Sequence, residues 1–169
     1  MIEVCQGLYI GNDLDYSQVA GREDWWIVHA CKEPYHRRLL GYRSLGAPKG
    51  HPEYLVARRG KVLFLNLIDP DDPAYIPKEI IDAGLDWIDR AFASGETALV
   101  HCNQGESRSP SIGLLYLASR TEYISRASLG AAETEFRGLY PYYNPKPGIR
   151  GFLLQNWDWY TKPRDSGSI

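Results

Sequence analysis

Short apolar runs recur along the chain and predict the strands of a sheet. Each run is rich in aliphatic, β-branched or aromatic residues and most are followed by a turn-forming residue, which is typical of buried strands. The runs are GLYIGN near the start, WWIVHAC at 25–31, KVLFLNLID at 61–69 and TALVH at 97–101. The segment 32–60 has no regular period, and we predict it to be irregular.

Amphipathic segments between and after these runs predict helices. Apolar residues recur at helical spacing from Pro77 to Gly95, and a second helix begins around Pro110. Two further helices are predicted at about 126–139 and in IRGFLLQNWDWY, after a turn at 144–148. This alternation indicates an α/β fold with a central, mostly parallel twisted sheet flanked by helices. Ligands of such sheets bind beyond the carboxyl ends of the strands.

The bulk composition narrows the class of protein. The 169 residues are 44% hydrophobic and 24% charged, as in ordinary globular domains. We expect one domain over 1–160 and a polar tail over 161–169. The net charge of -2 favours neither nucleic acid nor an anionic membrane as a partner. A monomer is expected.

The cysteines and the start of the chain bear on its compartment. Cys5, Cys31 and Cys102 are far apart and form no CxxC pair, which argues against a disulfide framework or a structural zinc site. The N-terminal residues do not have the pattern of a signal peptide, and no apolar run has the length of a membrane span. We therefore expect a cytoplasmic protein that needs neither a metal nor another cofactor.

The stretch HCNQGESRSPS, 101–111, carries the most specific chemistry. It lies between a predicted strand and a predicted helix, where free backbone N–H groups and the helix dipole attract an anion. Gly105 permits a tight turn, and Arg108 offers a planar cationic fork for two phosphate oxygens. The predicted phosphate-binding residues are Asn103, Gln104, Gly105, Glu106, Ser107 and Arg108.

The same environment acts on Cys102. A thiol beside an amide nest, a helix N-terminus and an arginine is expected to ionise more readily than a free cysteine, and the thiolate is the nucleophile. We expect it to attack a phosphate ester and form a cysteinyl-phosphate intermediate. Ser109 is predicted to donate a hydrogen bond to the thiolate and help it leave. His101 is assigned the orientation of the loop and no proton transfer.

HCNQGESRS resembles the HCxxGxxR[ST] loop of the cysteine-dependent protein tyrosine phosphatase superfamily, and its dual-specificity branch in particular. GLYIGN, the strand WWIVHAC, the strand LNLID and the segment LGAAETEFRGLYPYYNPKPGIRGFLLQ resemble corresponding segments of that family in the expected order. The resemblance implies the phosphatase (Cys-x5-Arg) fold and metal-independent hydrolysis of phosphomonoesters. Arsenate reductases and rhodanese-like sulfurtransferases are rivals that also use a cysteine in an anion loop, although the usual rhodanese loop is one residue shorter. Low-molecular-weight tyrosine phosphatases carry their loop near the N-terminus with the acid downstream, whereas here the loop is central and the acidic cluster is upstream.

Two residues are candidates for the general acid, the group that gives a proton to the leaving oxygen. The resemblance implies an Asp on the loop after the strand that precedes the cysteine, where DPDDP supplies Asp69, Asp71 and Asp72. Asp69 follows the strand directly and is preferred, whereas counting back from the helix at 77–93 favours Asp71. At least one of the three is expected to act only as a turn former or cap.

Two features of the sequence bear on the identity of the substrate. Phosphoinositide-directed relatives carry lysines in this loop, whereas Glu106 would repel a polyphosphorylated headgroup, so we favour phosphotyrosine or dual-specificity protein substrates. The alternatives are a phosphopeptide-binding module and a phosphatase of RNA 5′ ends or phosphosugars. A basic stretch within 32–60 could bind a second anion or be a solvated face; its candidate residues are Arg37, Arg38, Arg58 and Arg59.

One departure from the family concerns the bracing of the loop. Lys146 stands where many dual-specificity relatives have an Asn that braces the loop, and Ile149 stands where they have Phe. Asn144 is a candidate substitute.

Overall fold

Six strands form a single sheet in the order β1-β2-β6-β3-β5-β4. The structure is a computed structural model that describes residues 1–162 of the chain. The strands are β1 (Ile2–Cys5), β2 (Leu8–Gly11), β3 (Trp25–His29), β4 (Val56–Arg59), β5 (Val62–Leu65) and β6 (Thr97–His101).

The sheet is mostly parallel. β2, β6, β3 and β5 run in the same direction, and the two edge strands β1 and β4 are antiparallel to their neighbours. In this register His29, the last residue of β3, lies beside His101, the last residue of β6. The carboxyl ends of the inner strands therefore meet at one edge, and the expected α/β class is confirmed.

Helices cover the sheet on both faces. They are α1 (Asp13–Ser17), α2 (Arg37–Leu40), α3 (Lys78–Ala93), α4 (Arg108–Arg120), α5 (Leu129–Leu139) and α6 (Pro147–Thr161). A π-helical turn (Lys32–His36) precedes α2, and a 3₁₀ turn (Pro73–Tyr75) precedes α3.

Several predicted boundaries were wrong. The strands expected at 25–31 and 61–69 end at His29 and Leu65, and the segment 32–60 contains a helix and a strand. The helix after Pro110 begins earlier, at Arg108. These differences shorten the strands and place more chain beyond their carboxyl ends.

Helix α4 lies at the centre of the molecule. It contacts β2 and β6 on one side and α3, α5 and α6 on others, and every residue from Ser109 to Ala118 is buried. Small and apolar side chains at Ser111, Gly113 and Ala118 permit this burial. The N-terminus of α4 is consequently held rigidly against the end of β6.

The C-terminal boundary is described only in part. Helix α6 ends at Thr161, and the tail expected over 161–169 lies outside the described residues from position 163 onward. None of the helices within residues 1–162 is long and apolar enough to cross a membrane.

Candidate active site

The loop at residues 102–108, here called the cradle loop, connects β6 to α4. Cys102 lies at its floor with 2% of its surface exposed. The N–H of Gly105 donates to the Cys102 Sγ at 3.3 Å. Gly105 has a φ of 74°, and a Cβ there would lie 3.0 Å from the carbonyl oxygen of Gly11. Only glycine fits this turn, so the loop can curl its backbone around the thiol.

Ser109 links the thiol to the neighbouring strand. Its Oγ lies 3.2 Å from Cys102 Sγ and 3.1 Å from the carbonyl oxygen of Gly11. A hydroxyl group has one proton to donate, so it can serve only one of these acceptors at a time. The arrangement suits a hydrogen bond that strengthens when the sulfur carries charge.

Arg108 is oriented by neighbours on two sides. Its Nη2 donates to Asn103 Oδ1 at 2.8 Å, and its Nη1 donates to the carbonyl oxygen of Leu67 at 3.3 Å. Its Nε is buried and has no hydrogen-bond partner among residues 1–162. Asp69 Oδ2 lies 3.8 Å from that nitrogen. A buried guanidinium N–H without a partner is suited to an anion in the cradle.

The three aspartates of DPDDP occupy different surroundings. Asp69 is largely buried and accepts a hydrogen bond from Ser107 Oγ at 3.0 Å. Asp72 caps the 3₁₀ turn by accepting from the N–H of Ala74, as expected of a turn former. Asp71 is exposed. Of the three, Asp69 is the one that contacts the cradle loop.

Known structures share this architecture. DUSP15 superposes with a TM-score of 0.63 at 21% identity, covering 96% of this chain and 90% of that one. Human DUSP28 gives 0.60 at 21% identity, covering 94% and 92%. A human tyrosine phosphatase-like serine/threonine/tyrosine-interacting protein gives 0.61 at 18% identity, covering 95% and 97%. No family model and no curated protein sequence matches the chain.

The chain has the dual-specificity phosphatase-like fold. Within that fold the Gly105 N–H and the Ser109 hydroxyl converge on Cys102, and Arg108 is fixed on the same loop by Asn103. The structure therefore places Gly105 and Ser109 at the thiol and Gln104 and Glu106 at the exposed rim of the loop. The role of each in catalysis is a proposal.

The bracing of the cradle loop of this phosphatase-like fold comes from groups that the sequence did not reveal. The Tyr140 hydroxyl donates to the carbonyl oxygen of Gly105 at 2.7 Å. The backbone N–H groups of Asn144 and Lys146 donate to the Glu106 carbonyl oxygen and to Ser107 Oγ. Backbone amides thus make the contacts at 144 and 146, and side-chain identity there matters less.

A buried pair of histidines lies beside the cradle loop and was also missed. His29 Nδ1 lies 2.5 Å from His101 Nε2, and both side chains are at most 1% exposed. His101 Nδ1 lies 3.4 Å from Asp13 Oδ1. Asp13 also accepts hydrogen bonds from Tyr35 and Asn103. The network therefore reaches the same Asn103 that orients Arg108.

Burial and neighbours shift two pKa values in this network. The pKa of His29 falls to about 2, first because burial disfavours its charged form and then because of His101. Burial alone would raise the pKa of Asp13, but hydrogen bonds from His101, Asn103 and Tyr35 outweigh it and hold that pKa below its usual value. His29 is therefore neutral and Asp13 charged near neutral pH.

The rim of the cradle is mildly acidic. Gln104 and Glu106 are exposed and line a hollow of about 250 Å³ together with Asn12, Asp15, Tyr140 and Tyr142. Tyr142 is 67% exposed, so its ring is accessible to a ligand. A ligand that extends out of the cradle loop on this side would lie beside the carboxylate of Glu106.

Two of the four candidate arginines in the basic stretch form ion pairs. Arg37 donates to Glu33, and Arg59 donates to both carboxylate oxygens of Glu53; the four side chains are half-buried or exposed. Exposed pairs of this kind contribute little stability and leave little free charge. This pairing favours the interpretation that Arg37 and Arg59 belong to a solvated face rather than to a binding site for a second anion.

Proposed function

We propose that this protein is a metal-independent phosphomonoesterase that uses Cys102 as its nucleophile. The observation that supports it most is the meeting of two hydrogen-bond donors at one sulfur, on a loop that also fixes an arginine. Gly105 N–H and Ser109 Oγ lie 3.3 and 3.2 Å from Cys102 Sγ, at the N-terminus of α4, and Arg108 is fixed on the same loop with a buried, unpartnered Nε. Such a site is built for an anion that the sulfur can attack.

The first step would form a bond between Cys102 Sγ and phosphorus while the bond to the leaving oxygen breaks. Arg108 and the N–H groups of residues 103–108 would stabilise the equatorial phosphate oxygens. Asp69 would give its proton to the leaving oxygen. A second step would use water as the nucleophile, with Asp69 accepting its proton and Ser109 stabilising the departing thiolate.

Asp69 is the preferred acid because it lies at the cradle. It is held by Ser107 and is 3.8 Å from Arg108, whereas Asp71 is exposed and Asp72 is engaged as a cap. Asp71 remains the alternative, since it lies two residues further along the same loop.

Phosphorylated proteins or peptides are the proposed substrates, with phosphotyrosine accepted as in dual-specificity enzymes. Glu106 is exposed at the rim and would repel a substrate that carries several phosphates. The exposed ring of Tyr142 offers a surface for an aromatic leaving group. We expect Glu106→Lys to raise kcat/KM for a soluble phosphoinositide headgroup more than for a phosphotyrosine peptide.

The decisive test is hydrolysis of an aryl phosphate in the presence of a chelator. Wild type should turn over, and Cys102→Ser should lose activity by several orders of magnitude because the serine hydroxyl is a far weaker nucleophile at neutral pH. Wild-type turnover by Cys102→Ser would refute the mechanism. Tight phosphopeptide binding without any turnover by wild type would favour the binding-module alternative.

The acid is tested by changing the leaving group. Asp69→Asn should slow alkyl phosphates much more than aryl phosphates with good leaving groups, which need little protonation. Asp71→Asn is the matched control on the same loop and should behave like wild type. The reverse pattern would assign the acid to Asp71.

A further inference from the structure

An apolar groove, here called the side groove, lies next to the loop that carries Asp69. It has a volume of about 350 Å³. Its walls are the segments 45–47 and 54–55, Asn66 and Ile68 after β5, Tyr75 and Pro77 before α3, and Lys32. Ile68 joins the side groove to the cradle. Leu67 before it accepts a hydrogen bond from Arg108, and Asp69 after it lies 3.8 Å from Arg108 Nε.

Three large apolar side chains around the side groove are open to solvent. Leu45 is 91% exposed, Tyr75 68% and Ile68 40%. Exposed apolar residues are ordinary when they are scattered singly, whereas a cluster of them marks a surface that binds a ligand or a partner. These three come from separate parts of the chain and line the same groove.

Hydrogen bonds hold Leu45 at this exposed position. Its carbonyl oxygen accepts from Lys32 Nζ at 2.7 Å and from Arg37 Nη2 at 3.3 Å. Tyr75 belongs to the 3₁₀ turn that Asp72 caps, so its backbone is also fixed. Because these positions are ordered before any ligand arrives, little conformational entropy is lost when a ligand covers them.

The side groove holds no unpaired charge. Among the described residues that line it, Lys32 is the one charged residue. Its ammonium donates to the Leu45 carbonyl oxygen and lies 3.7 Å from Glu33 Oε1. The side-chain amide of Asn66 donates to the carbonyl oxygen of Tyr54. A second phosphate would lose hydration here without gaining a free cation, whereas an apolar side chain is stabilised by leaving water.

The two flanks of the cradle loop differ in chemistry. In the sheet, β6 leads into the cradle loop and lies between β2 on one side and β3 and β5 on the other. The rim with Asp15 and Glu106 is on the β2 side, and the side groove is on the β5 side. β5 is two strands from β6, which is about 10 Å, and an extended peptide advances about 3.3 Å per residue. A residue two to four positions from the phosphorylated one would therefore reach the side groove.

We propose that the side groove binds an apolar side chain of the phosphorylated protein substrate, and that Leu45, Ile68 and Tyr75 determine this specificity. The inference rests on the proposed function and narrows its substrates to phosphopeptides with a residue such as Leu or Met two to four positions from the phosphorylated residue. Glu106 and Asp15 on the opposite flank oppose the anionic surface of a phospholipid membrane. Three side chains also form a small patch beside the roughly 800 Å² per partner of a stable protein interface, which disfavours a second copy as the occupant.

The test compares phosphotyrosine peptides that differ at one position. Each of the four positions on either side of the phosphotyrosine carries Leu, Ser or Glu in turn, and kcat/KM is measured by release of inorganic phosphate. We expect Leu at a position two to four residues away, on one side, to raise kcat/KM about tenfold over Ser. Glu at that position should give no increase. In Leu45→Ser and Tyr75→Ser, the ratio of the Leu peptide to the Ser peptide should fall towards one.

Leu154→Ser is the matched control. Leu154 is also an exposed leucine, but it lies on α6 and does not line the side groove. This variant should keep the wild-type ratio. Because the ratio is taken within each variant, a partial loss of folded protein cancels. Hydrolysis of a small aryl phosphate, which cannot reach the side groove, is measured alongside to separate recognition from chemistry.

The outcomes separate this proposal from the proposed function. If wild type hydrolyses aryl phosphate through Cys102 but prefers no apolar residue, the proposal is overturned and the proposed function stands. Absence of any phosphate-ester hydrolysis overturns both. A preference that persists in both Leu45→Ser and Tyr75→Ser overturns the proposal, because another surface then reads the residue.

Other occupants of the side groove have their own signatures. If Leu45→Ser lowers hydrolysis of a short-chain phosphatidate relative to glycerol phosphate but leaves the peptide ratio unchanged, an acyl chain is the occupant. If Leu45→Ser converts a dimer into a monomer in gel filtration, a second copy is the occupant. Either result overturns the proposal.

Discussion

The hydroxyl of Ser109 has one proton and two acceptors, Cys102 Sγ at 3.2 Å and the Gly11 carbonyl oxygen at 3.1 Å. Ser109→Ala should therefore slow the second step, in which the thiolate leaves, more than the first. A hydrogen bond to a charged group contributes about 1.5–3 kcal/mol, which corresponds to a loss of roughly 10- to 100-fold in steady-state turnover. Rapid-mixing kinetics with an aryl phosphate should then show a burst of the released phenol.

Ser119 provides the control for that prediction. It lies on the same helix but donates to the carbonyl oxygen of Leu115, away from the cradle. Ser119→Ala should keep wild-type turnover and show no new burst. A loss of turnover in Ser109→Ala without a burst would mean that the hydroxyl acts on the first step instead.

Residues within one short motif were predictable, and residues joined only by topology were not. Cys102, Arg108 and Ser109 lie within eight consecutive positions. Because a bound phosphate needs backbone amides and an arginine, the spacing of these residues indicates a phosphate site. His29 and Asp13 join the site only because β3 pairs with β6 and α1 follows β2. A lone histidine or aspartate far along the chain carries no local sign of such a contact.

At the scale of elements, the long and strongly periodic segments were predicted best. The strand at 97–101 agrees with Thr97–His101, and the helix after Pro77 agrees with Lys78–Ala93. The antiparallel edge strands β1 and β4 and the five-residue α1 were missed, because a few residues show too few periods to be distinguished from a loop. Pairing with a neighbouring strand, which sequence does not display, determines these elements.

The loop that carries Asp69 packs against the first turn of α6. A Cβ at Gly148 would lie 2.0 Å from the carbonyl oxygen of Pro70. Gly148→Ala must therefore push this loop away from the cradle. We expect a greater loss of kcat for alkyl than for aryl phosphates and, as for other overpacked sites, a loss of about 1–3 kcal/mol in the free energy of unfolding. Steady-state kinetics and urea titration measure the two effects.

Gly138 is the matched control. It also lies in a helix, but a Cβ there would meet no atom within 4 Å. Gly138→Ala should retain full activity and gain up to about 1 kcal/mol, since alanine favours the helical backbone. If Gly148→Ala keeps the wild-type ratio of alkyl to aryl turnover, the position of this loop does not control proton donation.

At the scale of the whole molecule, two buried histidines link stability to pH. Burial lowers the pKa of His29 to about 2 and also lowers that of His36, while both titrate near their ordinary value of about 6.5 when the chain is unfolded. Below that pH, these two histidines bind protons more strongly in the unfolded chain than in the folded protein. Their contribution to stability is thus fully present above about pH 6.5 and is lost as the pH falls.

For His29 alone, lowering the pH from about 7.5 to about 5.5 should reduce the free energy of unfolding by about 1.4 kcal/mol. Urea titrations of wild type at the two pH values should show at least this loss, because His36 adds to it with the same sign. His29→Phe should lose about 1.4 kcal/mol less than wild type over the same interval, since it has no imidazole to protonate on unfolding. Tyr16→Phe, which alters a ring packed on His29 but removes no such group, should keep the wild-type dependence. A wild-type dependence in His29→Phe would mean that His29 is already protonated in the folded protein.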